Sequence, residues 1–102
     1  MYYRRLLKTG QITIPKEIQN QLIFTEGDFL FIYKCEDSIV IAKQHDNNTL
    51  NKCVFRDGRI SIPAEIRRLL GITGNTLLIL ETNTLQNKLF IKAEKEGLIR
   101  EA

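Results

Sequence analysis

Gly10-Gln11-Ile12-Thr13-Ile14-Pro15-Lys16-Glu17-Ile18 returns 48 residues later as Gly58-Arg59-Ile60-Ser61-Ile62-Pro63-Ala64-Glu65-Ile66. The match runs on through Leu22 with Leu70 and Thr25 with Thr73, then through Phe29-Leu30-Phe31-Ile32 with Leu77-Leu78-Ile79-Leu80. A slip of two follows, and Ile39-Val40-Ile41 meets Leu89-Phe90-Ile91. The 2 prolines of the chain stand at equivalent places. Self-similarity of this kind sets the architecture before any local propensity does.

Each copy reads the same way. An opening strand, around Tyr3–Leu7 or Lys52–Arg56, reaches a tight turn at Thr9-Gly10 or Asp57-Gly58; Asp-Gly is the stronger hairpin signal of the two. A short strand follows, Gln11–Ile14 or Arg59–Ile62, with its isoleucines on one face by the two-residue period. Pro15 or Pro63 then ends the ladder, since proline has no amide proton to give, and its fixed φ suits the first helical position. Glu17 and Glu65 fall in the first helical turn, where a carboxylate favours the dipole. The helix is roughly two turns long at ~3.6 residues each. Ile18 and Leu22, or Ile66, Leu69 and Leu70, form its apolar stripe, which leaves Arg67 and Arg68 toward the edge or solvent. Gly71 is a C-terminal cap; Ile23 stands in its place in the first copy. Glu26-Gly27-Asp28 and Gly74-Asn75 open a second hairpin, with arms Phe29–Lys34 and Ile39–Lys43, or Thr76–Thr82 and Leu89–Lys92. These arms are nearly continuous apolar runs, the pattern of strands covered on both faces.

Four short strands and a stub of helix in about 45 residues bury too little surface to offset chain entropy. The two copies therefore bury their apolar faces against one another. The division expected is 1–43 for the first repeat, 44–50 for a polar linker, 51–92 for the second repeat and 93–102 for a short, helical tail. The linker spans ~23 Å when extended, at ~3.3 Å per residue. That also permits exchange between chains, so self-association into a dimer or higher oligomer stays open.

A chain of 102 residues with 43% hydrophobic and 26% charged residues is one ordinary globular domain. It has no apolar run near the ~20 residues of a membrane-spanning helix, and no signal-peptide core at its start. With 2 cysteines and 1 histidine, neither a disulfide framework nor a four-ligand zinc site is expected. A soluble, intracellular protein is the simplest reading, with no cofactor, no metal and no membrane partner.

The first fifty residues balance in charge, so the net charge of +3 arises in the second half. Such an excess permits a polyanion partner without establishing one. His45 reads as a solvated linker residue, and Cys35 and Cys53 as incidental or buried thiols. Tyr2, Tyr3 and Tyr33 are explained by strand propensity more cheaply than by base stacking. Asp37, Asp46 and Asp57 lack a metal-binding spacing, and no catalytic constellation is present; the chain does not read as an enzyme.

The stretch from Gly58 to Ile72 resembles the signature of the SpoVT/AbrB family of DNA-binding proteins (the AbrB/MazE/MraZ superfamily), and residues 10–18 are a weaker copy of it. The resemblance implies a mainly β fold with short helices: a swapped-hairpin (AbrB-like) β-barrel, here with a pseudo-twofold built from two tandem repeats in one chain. It also implies a cytoplasmic, nucleoid-associated protein of the class that includes transition-state regulators, sporulation regulators and autorepressing antitoxins. Family DNA contacts come from basic residues of the first strand, the turn and the short helix. Carried over, they are Arg4 and Arg5, Arg59 after the turn glycine, and Arg67 and Arg68. Gln11 replaces the turn arginine in the first copy, Gln19-Asn20 replace the helix pair, and Lys52 and Cys53 stand where Arg4 and Arg5 stand. Lys8 and Arg56 flank the turns.

Arginine can pair with phosphate bidentately or read guanine, and glutamine can pair with adenine. The bland alternative is that Arg67 and Arg68 solvate a helix face and make weak surface pairs with Glu65 or other carboxylates. The resemblance favours the first reading: sequence-selective binding of double-stranded DNA by a prokaryotic transcriptional regulator, through Arg4, Arg5, Lys8, Gln11, Lys52, Arg56, Arg59, Arg67 and Arg68. The alternative is an antitoxin-like or other protein-interaction module. A toxin partner ranks below DNA because Ala93–Ala102 offers little wrapping surface.

Overall fold

The computed structural model describes residues 1–47 and 49–94. Their order is β1 (Tyr2–Arg5), β2 (Gln11–Thr13), α1 (Lys16–Leu22), β3 (Phe29–Cys35), β4 (Ser38–Ala42), β5 (Lys52–Val54), β6 (Arg59–Ser61), α2 (Ala64–Leu70), β7 (Leu77–Asn83) and β8 (Lys88–Ala93). The described residues are thus mainly β with two short helices. One antiparallel sheet has six strands in the order β1-β7-β8-β4-β3-β5, and β2 pairs with β6 in a separate ribbon. The tail expected at 93–102 falls outside the described residues beyond Glu94; Ala93 itself closes β8.

Neither half keeps its first strand. β1 lies along β7, with Arg4 opposite Leu78, and β5 lies along β3, with Cys53 opposite Leu30. The backbone locks both crossings in the same way. Leu6 donates to the Thr76 carbonyl at 2.9 Å and accepts from the Asn75 N–H at 2.7 Å, while Phe55 donates to the Asp28 carbonyl at 2.9 Å and accepts from the Gly27 N–H at 2.8 Å. Exchanging each element of one half for its counterpart in the other leaves the strand order unchanged. Ile12 faces Ile60 at the middle of the ribbon, and Val40 faces Phe90 across the β4–β8 seam.

The core follows from this crossing. Ile12, Ile14, Ile18 and Leu22 from the first half, with Ile60, Ile62 and Ile66 from the second, join the inward residues of the large sheet in one buried cluster. Phe24 and Phe55, from opposite halves, meet with ring centroids 5.8 Å apart. Burying each such side chain contributes about 1.5–3 kcal/mol, and most of that is available only when both halves are present.

Two turns that look alike in sequence are built differently. Asp57 and Gly58 both have positive φ, +55° and +73°, and Arg56 and Arg59 exchange hydrogen bonds of 3.1 and 2.9 Å around them; this is the two-residue type I′ hairpin. In the first half the Leu7 N–H reaches the Gln11 carbonyl at 2.9 Å across three residues, with Gly10 at φ +84°. The extra residue shifts the counterpart of the first strand by one. Arg4 and Arg5 therefore match Cys53 and Val54, not Lys52 and Cys53, and Lys52 matches Tyr3.

Other expectations are also corrected. Pro15 and Pro63 sit just before the helices, with ψ of 145° and 141°, rather than at the first helical position. On α2 only Ile66 is fully buried; Leu69 is 60% exposed and Leu70 half-buried. The run Leu30–Ile32 and the run Ile39–Ala42 are buried on both faces, but β7 and β8 alternate, leaving Ile79 and Phe90 half-exposed. The difference lies in the segment after β4. His45 is half-buried, not solvated: its ring lies 5.9 Å from Phe31 and 5.1 Å from Tyr33, and Lys52 Nζ covers Phe31 from 5.2 Å.

Candidate nucleic-acid interface

The β2–β6 ribbon sorts its six side chains by parity. Ile12 and Ile60 point into the core, while Gln11 with Ser61, and Thr13 with Arg59, are cross-strand partners on the opposite face. That face is wholly polar, and Arg59 is its one charge. Gln11 and Ser61 also line a groove with Pro63, Lys52, Val54 and Arg56. The structure thus brings Gln11, Lys52 and Arg56 together, and the type I′ turn holds Arg56 beside Arg59. Thr13 and Ser61 belong to this surface although sequence reasoning did not select them; their two-residue spacing from Gln11 and Arg59 was the signal available.

The remaining basic residues are placed less uniformly. Arg5 is exposed and donates from Nη1 to the Asn75 carbonyl at 2.9 Å. Arg4 is half-buried on the face of Leu78 and donates to the Tyr3 carbonyl at 2.8 Å. Strand parity alone did not separate these two; the pairing with β7 does. Lys8 is exposed beside Gly74, and Arg68 is exposed on α2.

Arg67 is turned inward. Its Nε donates to the Ile62 carbonyl at 2.9 Å, and its guanidinium lies against Gly10 at the turn of the other half. Gln19 does the same for the opposite crossing, donating from Nε2 to the Ile14 carbonyl at 2.8 Å, with Gly58 beside it. The arginine is therefore a brace between α2 and the first turn. The weak pairs of the bland alternative, between Arg67 or Arg68 and Glu65 or another carboxylate, are not formed; among the described residues the one ion pair joins Lys43 to Asp28 at 3.7 Å.

The exchange of halves preserves the buried isoleucines, Ile12 with Ile60, Ile14 with Ile62 and Ile18 with Ile66, and alters the cationic positions. Arg4 faces Cys53 as counterpart, Arg5 faces Val54, Lys52 faces Tyr3, Arg56 faces Leu7, Arg59 faces Gln11, and Arg67 and Arg68 face Gln19 and Asn20. No cation in these pairs is repeated.

Cys53 is buried opposite Leu30, and burial pushes its pKa from 9.0 up to about 12; Cys35 is exposed. Among the described residues no helix is long and apolar enough to cross a membrane, and no three His, Cys, Asp or Glu side chains are grouped to hold a metal ion.

No curated protein matches the chain. A solution structure, that of PHS018 from Pyrococcus horikoshii, is similar over 90% of this chain and 87% of that one, with a TM-score of 0.55 and 16% sequence identity, a likeness of fold alone. Residues 4–49 match the family of "Antidote-toxin recognition MazE, bacterial antitoxin", so the sequence likeness to that AbrB/MazE-like group lies in the first half of the chain.

Proposed function

We propose that this protein is a DNA-binding regulator of the AbrB/MazE-like kind, in which two tandem copies of one unit form a swapped-hairpin barrel about a pseudo-twofold axis. The axis would run between Ile12 and Ile60 and between Val40 and Phe90. The observation that carries the reading is the polar face of the β2–β6 ribbon, with Gln11, Thr13, Arg59 and Ser61 flanked by Lys52 and Arg56. A two-stranded ribbon fits the major groove of B-DNA, and these side-chain types pair with base edges and phosphates. Arg5, Lys8 and Arg68 extend the contact to phosphates; Arg67 supports it by holding the turn at Gly10.

Binding to a duplex at several salt concentrations tests this reading. Neutralising about four to six phosphates gives a slope of log affinity against log salt of roughly −4 to −5. Alanine at Arg56, Arg59 and Arg68 together removes most of the affinity and leaves the thermal midpoint within a few degrees. Unchanged binding by that triple variant refutes the proposal.

A second reading is supported by the match of residues 4–49 to an antitoxin family: the main partner is a protein toxin rather than DNA. Co-purification with a stoichiometric protein and no retention on DNA favours it over the first.

A further inference from the structure

The two halves carry different residues at the same place on the ribbon, and that difference specifies what kind of DNA sequence the site takes. Gln11 and Arg59 are the first residues of β2 and β6, each directly after its turn glycine. The ribbon register runs Gln11 with Ser61, Ile12 with Ile60 and Thr13 with Arg59, so each of the two is carried to the other by exchange about the Ile12–Ile60 pair. Both lie on the polar face. They are diagonal neighbours across an antiparallel pair, which places them about 7–8 Å apart. Base pairs rise by about 3.4 Å, so the two side chains fall roughly two base-pair steps apart, astride the centre of the ribbon.

Resting on the DNA reading above, we infer that Gln11 and Arg59 are the paired specificity residues of a non-palindromic site, Arg59 reading a guanine and Gln11 an adenine. A symmetric protein dimer imposes symmetry on its operator; this chain has the strand exchange of such a dimer without its chemical identity. Arginine binds guanine O6 and N7 bidentately, and glutamine binds adenine N6 and N7. The flanking cations reinforce the direction. Lys52 and Arg56 share the Gln11 groove with Cys53 and Val54, whereas on the other side Tyr3 and Leu7 replace the two cations and Arg4 and Arg5 replace Cys53 and Val54, so the charges stand at different places on the two sides. The protein therefore binds its site in one orientation.

Selection from random duplexes, carried out with the intact chain and with the Gln11→Arg and Arg59→Gln variants, tests this. Each substitution installs a residue that the equivalent ribbon position already accommodates, and thermal melting verifies that each variant is folded. The unaltered protein enriches a directional sequence, with a guanine and an adenine contact at its centre. Gln11→Arg shifts selection to a palindrome with guanine on both sides, and Arg59→Gln to one with adenine on both sides. Each changed position alters preference by roughly 10- to 100-fold. Palindromic sites enriched by the unaltered chain, or identical sequences from all three proteins, overturn the inference while leaving the DNA reading standing. Enrichment of no duplex at all overturns both.

Discussion

The Arg67 guanidinium rests on the backbone of Gly10: a Cβ added at Gly10 would lie 2.8 Å from Arg67 Cζ. The turn of one half is thus shaped to a side chain of the other. Gly10→Ala places an L-residue at φ +84°, costing about 1 kcal/mol. It also pushes Arg67 off the Ile62 carbonyl, costing about 1 kcal/mol more. Gly58→Ala meets Gln19 Nε2 at 3.5 Å, ordinary contact, and costs the backbone part alone. Urea unfolding of both variants, with an Arg67→Ala cycle, gives a coupling of about 1 kcal/mol for Gly10–Arg67.

Ile23 ends α1 in the left-handed region at φ +56°, where Gly71 ends α2 at φ +68°. A β-branched residue there costs about 1–2 kcal/mol, and Ile23, 67% exposed, returns little burial. Ile23→Gly therefore stabilises the fold by about 1 kcal/mol, and Gly71→Ile destabilises it by a similar amount. Thermal denaturation of the two variants reads the opposite signs directly.

Cys53 makes stability fall in alkali. Its folded pKa of about 12 exceeds the ordinary 9.0, so above pH 9 the unfolded chain releases a proton that the folded chain retains. The free energy of unfolding then falls with rising pH between those values, by about 1 kcal/mol per unit. Below pH 9 the contribution is constant. Urea midpoints at pH 8 and pH 10.5 differ more for the unaltered chain than for Cys53→Ala, which lacks this titration.

The elements were legible because the deciding residues act locally. Pro15 and Pro63 end strands whatever surrounds them, Asp57-Gly58 forms a two-residue turn by its own φ preferences, and the apolar runs from Phe29 and Leu77 can only be sheet. The crossing was legible as a need for burial, although its register was not. The one-residue offset between β1 and β5 comes from turns of different length, which aligning Gly10 with Gly58 conceals. At the site, side-chain type identified Gln11 and Arg59 and parity could have added Thr13 and Ser61. Periodicity places Arg67 only toward an edge or solvent, because its partners, the Ile62 carbonyl and the Gly10 backbone, are supplied by tertiary structure. His45 was misread for the same reason, since Phe31 and Tyr33 form its seat only after β3 joins the sheet.

Because β1 lies along β7, β1 leaves the ribosome well before the strand it pairs with. At translation speeds of about 5–20 residues per second, Tyr2–Arg5 waits several seconds for Leu77–Asn83 to emerge, and β3 likewise waits, for a shorter time, for β5. Neighbouring nascent chains on one message offer one another the same missing strands. Crowded polysomes should therefore yield intertwined products that dilute synthesis does not.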